Sequence, residues 1–361
     1  MWIFPKYKTN LTFGHAQGQY GAFNKNVRRN WGVWPMWISS ANDKGFLATA
    51  STIVYDDNGR VDGRGLWAAP SITGNQWYDC DFDDQGHSYF AGNGTVKRDI
   101  MSSTQLWLNT STQSSIDYSV GYNNNFIYIG SQDSIQTLRK VDTNGNLIWS
   151  KGITSSRITS ITFDESNNIY VCGLYTGVGY NGIVAKYDES GNQLWSAYTP
   201  SELLDIKYYN KSPQIAPIYI GCVWQNNSGT ANDGAIHLRS SDGVDAGYFG
   251  NELRNRNTTA NNGYYSIEVN DRYVIAIDEE GNTQGLDVYM RNLNTLTASM
   301  TASQFGVSVP RLTDLELYED TLYYCDFDEQ RIYRVSSTFS RVEESWRVAS
   351  QPRAIKMKKT Y

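Results

Sequence analysis

The sequence predicts an all-β chain folded as a single β-propeller of four-stranded antiparallel blades, and three observations lead there. The composition suits sheet, three short residue columns recur with one shared period, and hairpin turn chemistry falls between the columns. The expected count is eight blades, with seven as the alternative.

The 361 residues include 26 Tyr, 11 Trp and 12 Phe, and only 19% are charged. Tyr, Trp, Val, Ile and Thr pack well on pleated, half-buried surfaces, and no Ala-, Leu-, Glu- and Lys-rich tract offers a long helix. A chain of this length holds two average domains or one large all-β domain. With no linker, low-complexity tract or charge block, residues 1–361 read as one domain.

The first column joins a turn to a tryptophan. IVAKYDESGNQLWS at 183–196 and LRKVDTNGNLIWS at 138–150 each place Gly three residues after an Asp and Trp four after the Gly. An alternating strand, an Asp-x-x-Gly turn and a second strand make a hairpin. Looser copies occupy 23–31 and 53–67, and the matching tryptophans are Trp31, Trp67, Trp107, Trp149, Trp195 and Trp346.

The second column is two large residues and a small one: 12–14, 46–48, 89–91, 128–130, 170–172, 219–221, 274–276 and 323–325. Successive small residues lie 34 to 55 apart, the period of a propeller blade. A small side chain fits where twisted sheets press closest. The third column precedes the second by about ten residues, as the innermost strand of each blade, at 36–38, 79–82, 117–120, 159–163, 204–208, 265–269 and 313–318. Its last copy, RAIKM at 353–357, has no strands after it. Ring closure accounts for this if the C-terminal strand becomes the innermost strand of a blade completed by residues 11–34. WIF at 2–4 competes for the same place; if it lies outside, residues 1–10 form an N-terminal arm and the count is seven.

The segment IVAKYDESGNQLWS resembles the blade repeat of bacterial cell-surface and extracellular β-propeller proteins, and more distantly the tryptophan-containing repeat of the quinoprotein propellers. The resemblance implies fold and is nearly silent on function. A quinone-dependent dehydrogenase is not expected: no adjacent cysteines occur, and no acidic and amide calcium-ligand set matches. The Asp-x-x-Gly turn also resembles the Asp-box hairpin of sialidases, a structural turn in that family.

Charge excludes further classes. A net charge of -6, with only Arg28–Arg29 and Lys356, Lys358 and Lys359 as small basic groups, gives no face for nucleic acid. No apolar run reaches the roughly eighteen residues of a membrane span, and MWIFPKYKTN does not read as a secretory signal. Cys80, Cys172, Cys222 and Cys325 lack CxxC spacing and are expected as buried free thiols. His15, His87 and His237 form no metal or catalytic motif, and no GxSxG elbow occurs. DDNGRVDG at 56–63 reads as a hairpin turn and not a calcium loop.

Two candidate sites emerge. Asp79, Asp81, Asp117, Asp205, Glu268, Asp314 and Glu316 all fall in the inner-strand column, where alternate side chains face a central channel. They suggest an acidic channel lining or an axial cation site, most simply Ca²⁺, on Asp79, Asp81, Asp117, Asp205 and Asp314. Among the aromatics of the first forty residues, Trp34 and Trp37 are candidates for an exposed contact face for protein or glycan. Nothing nominates a catalytic residue, so the expectation is a non-catalytic binding or structural module, with a polysaccharide-acting enzyme or a bacterial surface binding protein as the alternative. The Tyr-, Asn-, Ser- and Gly-rich composition resembles virion components of bacteriophages, such as tail or host-attachment proteins. That places the protein in a virion or outside the cell, with the cytoplasm as the alternative.

Overall fold

The structure, a computed structural model, describes residues 44–48, 53–54, most of 78–347, and 354–358. They form strands joined by turns. A first pair, β1 (Lys44–Ala48) and β2 (Ile53–Val54), precedes β3 (Asp79–Phe82), β4 (His87–Gly92), β5 (Gly94–Asp99) and β6 (Gln105–Asn109). The next four are β7 (Asp117–Asn123), β8 (Phe126–Ser131), β9 (Leu138–Asp142) and β10 (Leu147–Lys151). They are followed by β11 (Ser156–Phe163), β12 (Ile169–Tyr175), β13 (Gly182–Tyr187) and β14 (Gln193–Thr199). Then come β15 (Glu202–Tyr208), β16 (Ile218–Val223), β17 (Gly234–Leu238) and β18 (Asp245–Phe249). The chain continues through β19 (Gly263–Val269), β20 (Tyr273–Glu280), β21 (Thr283–Met290) and β22 (Thr295–Met300). The last group is β23 (Leu312–Tyr318), β24 (Thr321–Asp326), β25 (Arg331–Val335), β26 (Val342–Arg347) and β27 (Ala354–Lys358).

Each run of four is an antiparallel meander, as the hairpin signals predict. The blade count is corrected. Among the described residues, hydrogen bonding defines five sheets of four or more strands, four of them four-stranded and one eight-stranded, with a three-stranded sheet at the closure. Neither eight nor seven emerges. The copies at 219–221 and 274–276, counted apart in the sequence, share one sheet, because Val223 of β16 pairs with Gly263 of β19. The copy at 12–14 lies outside the described residues.

N- and C-terminal strands do share a sheet, as expected for ring closure, but the N-terminal partner differs. The C-terminal strand β27 is an inner strand, but its partner is β1, with Phe46 opposite Lys356 and Leu47 opposite Ile355, rather than strands from residues 11–34. RAIKM thus takes the place the sequence assigned to 36–38. Inner strands follow one another around the ring: β3 against β7, then β11, β15, β19, β23 and β27, which returns to β3.

The core sits in the seams between sheets. Tyr89 and Ala91 of β4 pack against Val120, Ile127 and Ile129 of the next sheet, and Tyr170, Cys172 and Val184 pack against Leu203, Ile206 and Ile218 of the one after β14. Burying such a side chain fully is worth about 1.5–3 kcal/mol. The small-residue column is what permits this approach. A Cβ on Gly130 would collide with the Ser119 hydroxyl and stand 2.5 Å from Ile158 Cγ2 of the following sheet.

A repeated lock fastens three seams. Across β4, β5 and β6 lie Tyr89, Lys97 and Trp107 in register; Tyr128, Lys140 and Trp149 repeat the row, as do Tyr170, Lys186 and Trp195. In each row Lys Nζ and Trp Nε1 donate to one carbonyl in the outer turn of the next sheet. Lys97 and Trp107 reach Thr143 O at 2.8 and 3.0 Å, Lys140 and Trp149 reach Glu189 O at 3.2 Å each, and Lys186 and Trp195 reach Ser240 O at 3.2 and 3.1 Å. In the first two rows that turn is the Asp-x-x-Gly motif, at Asp142 to Gly145 and Asp188 to Gly191; in the third the sequence reads Arg239-Ser240-Ser241-Asp242-Gly243. Asp188 Oδ1 and Oδ2 accept from the amide and side chain of Asn192, both at 2.8 Å, bonds that hold the Asp188 carboxyl below the usual range. Gly191, at φ 82°, lies flat on the Trp149 indole. Trp346 falls outside this column: it lies opposite Ile332, and Glu344 stands opposite Arg334 where a Trp would complete the row.

Candidate functional site

An innermost strand has a neighbour on one side only, so the amides of its free edge need other acceptors. The acidic column supplies them. Asp79 accepts from the amides of Cys80 (2.8 Å) and Val120 (3.0 Å), and Asp81 from those of Phe82 (2.9 Å) and Tyr122 (2.7 Å). Each carboxylate thus spans from its own strand, β3, to β7. Asp205 spans β15 to β19 the same way, accepting from the amides of Ile206 (2.9 Å) and Ile267 (3.0 Å), and it also accepts the Ser160 hydroxyl at 2.8 Å. Asp314 takes the Ser266 hydroxyl at 2.8 Å.

Asp117 behaves differently. It is wholly buried, accepts from Arg139 Nη2 at 2.6 and 2.7 Å and takes the Thr95 hydroxyl of the preceding sheet at 2.8 Å. Burial pushes its carboxyl up to about 6, although Arg139 opposes the rise. The five residues singled out for a cation lie on four inner strands, β3, β7, β15 and β23, and Asp205 and Asp314 both approach the Ser266 hydroxyl. Among the described residues, no three His, Cys, Asp or Glu side chains come together as a metal-holding group. One channel-side cation does meet the acidic column: Lys207 Nζ lies 2.8 Å from Glu268 Oε1 and 3.7 Å from Asp205 Oδ2.

His87 resembles half of a catalytic pair, since its Nδ1 lies 2.7 Å from the buried Asp83 carboxylate. A second repeat explains it otherwise. Asp164 Oδ2 accepts from Asn168 Nδ2 (2.8 Å) and the Tyr170 hydroxyl (2.9 Å), while Asp83 Oδ2 meets His87 Nδ1 and accepts the Tyr89 hydroxyl (2.8 Å). His87 occupies the position of a turn-locking Asn. Cys80, Cys172 and Cys325 are buried free thiols, and burial raises the Cys325 thiol well above its ordinary value. His15, Trp34 and Trp37 lie outside the described residues, as do the turn at 56–63 and the side chains of His237 and Cys222.

A surface that the sequence reading missed lies on the outer rim. Each fourth strand carries a one-residue β-bulge, and the unpaired residues in the first three are Leu106, Ile148 and Leu194, the residue before each Trp. They are 47%, 51% and 51% exposed. Leu108, Leu147 and Tyr198 extend the same three strands as exposed apolar surface. The sequence signal was a large apolar residue directly before four of the six column tryptophans: Leu66, Leu106, Ile148 and Leu194.

No family model and no curated protein matches the chain. Solved structures do. The computationally designed protein Ika8 matches with a TM-score of 0.57 at 13% identity over 86% of each chain. The WD40 β-propeller domain of Doa1 matches at 0.56 and 8% identity, over 77% of this chain and 85% of that one. The Dos1 propeller matches at 0.52 and 11%, over 77% of this chain and 73% of its own. Such identities establish fold alone, and the chain is a β-propeller. No helix among the described residues is long and apolar enough to cross a membrane.

Proposed function

We propose that this chain is a non-catalytic propeller that docks a protein partner through its outer rim, as a structural component of a bacteriophage virion. The observation behind the docking reading is the row Leu106, Ile148 and Leu194, held in solvent at one bulge position of three successive edge strands. Edge strands ordinarily present charge or proline to water, so large apolar side chains repeated at one edge position point to a contact surface. The bulge keeps a further strand from adding to these edges, so the contact is made by side chains. The virion reading is supported by composition: Tyr, Asn, Ser and Gly dominate an all-β chain, as in tail and host-attachment proteins.

Particles purified from the source provide the test. The wild-type chain is expected in them, and a variant with Ser at positions 106, 148 and 194 is expected to fold and yet be missing. A chain absent from particles overturns the virion reading; a triple variant incorporated as well as wild type overturns the rim. Release of reducing sugar from host surface polysaccharide by the pure protein would overturn the non-catalytic reading.

A further inference from the structure

We infer that, among the described residues, the Lys207 ammonium is the counter-ion of the acidic inner-strand column, built into the fold in place of a bound metal. Three consecutive inner strands bring carboxylates towards it: Asp205 from β15, Glu268 from β19, and Asp314 and Glu316 from β23. Lys207 donates to Glu268 Oε1 at 2.8 Å, across the boundary between β15 and β19, and lies 3.7 Å from Asp205 Oδ2. The side chain is 24% exposed, and its two partners are more enclosed, at 12% each. Burial alone would lower its proton affinity, and the four carboxylates reverse that, holding the amine firmly protonated.

Calcium takes six to eight oxygen ligands, and the oxygens here are committed. Asp205 accepts two amides and the Ser160 hydroxyl, and the one Ser266 hydroxyl proton is shared between Asp314 at 2.8 Å and Asp205 at 3.2 Å. A metal would have to displace both the hydroxyls and the ammonium. Position also matters. The three seams before this one carry the Lys–Trp lock, but Gly247 stands opposite His237 where a Trp would complete the next row. Among the described residues, β15–β18 and β19–β22 therefore meet without an indole in that column, and the ladder pair Val223–Gly263 and the polar bridges from Asp205 and Lys207 cross between them.

Melting of the full chain, with added Ca²⁺ and with chelator, tests the inference. The wild-type melting temperature is expected to be the same in both, Lys207→Met to melt several degrees lower, and Lys207→Arg to stay near wild type. Removing the stranded carboxylate as well, in Lys207→Met/Glu268→Gln, is expected to recover part of the loss. A wild-type melting temperature that rises with Ca²⁺ or falls with chelator overturns the inference, as does a Lys207→Met variant as stable as wild type. Should Lys207→Met not fold, a folded double variant supports it and an unfolded one overturns it.

Discussion

The indole of Trp149 does two things that a phenyl ring cannot both do: it packs under Gly191 and donates Nε1–H to Glu189 O. Trp149→Phe should therefore cost about 1 kcal/mol, the net worth of one hydrogen bond, measured as a lower denaturation midpoint with an unchanged slope. Gly191→Ala should cost about 1–3 kcal/mol, since a Cβ would meet the indole at 2.9 Å from a backbone at φ 82°. The two should be non-additive in a double-mutant cycle, because they share one contact. The acidic turns carry a pH dependence. Burial pushes the Asp83 and Asp164 carboxyls up, but hydrogen bonds from His87 and Tyr89, and from Asn168 and Tyr170, outweigh it and leave both below the ordinary range. The unfolded chain then takes up protons first, so this stability is complete above about pH 4 and drains as the pH falls through the folded values. Asp164→Asn should flatten that acid limb in pH-dependent melts. At this scale Asp188, Gly191 and Trp195 were legible from spacing. Lys140 and Lys186 were not, because their roles need a register and a neighbouring sheet.

The strand, taken as an element, explains why the rim went unnoticed. In an unbroken strand Leu194 would alternate with Trp195 and cover the opposite seam, but the bulge between Gln193 and Trp195 takes Leu194 out of the ladder. The same irregularity leaves Thr297 and Glu343 unpaired in β22 and β26, where polar residues occupy it. Substituting Ser for Leu106, Ile148 and Leu194 should leave stability within about 0.5 kcal/mol per site, as for surface positions, while lowering binding of an apolar-surface dye. A loss much larger than that would mean these side chains belong to the core. The inner strands were located from the sequence because each has its short column, yet the purpose of their acids was hidden. Asp79 reads as a channel residue until Val120, whose amide it accepts, is placed beside it.

For the whole molecule, closure rests on β27, which pairs with β1 and lies between β23 and β3. Ending the chain before Ala354 removes that inner strand and exposes edges on both sides. Such a truncation should melt lower and less cooperatively and be cut faster by protease. An unchanged melting curve would show that the ring does not depend on its closing strand. What the sequence determined by itself was the repeat: strand columns, turn positions and the small residues of the seams, all written in local periodicity and turn chemistry. Tertiary structure alone decided how many sheets form, which residues meet β27, and what the acidic column does. The free amides of one inner strand are satisfied from the strand before it, 41 residues away for Asp79 and Val120. No local pattern encodes a partner at that distance; it is chosen when neighbouring sheets pack and unpaired backbone donors must find acceptors.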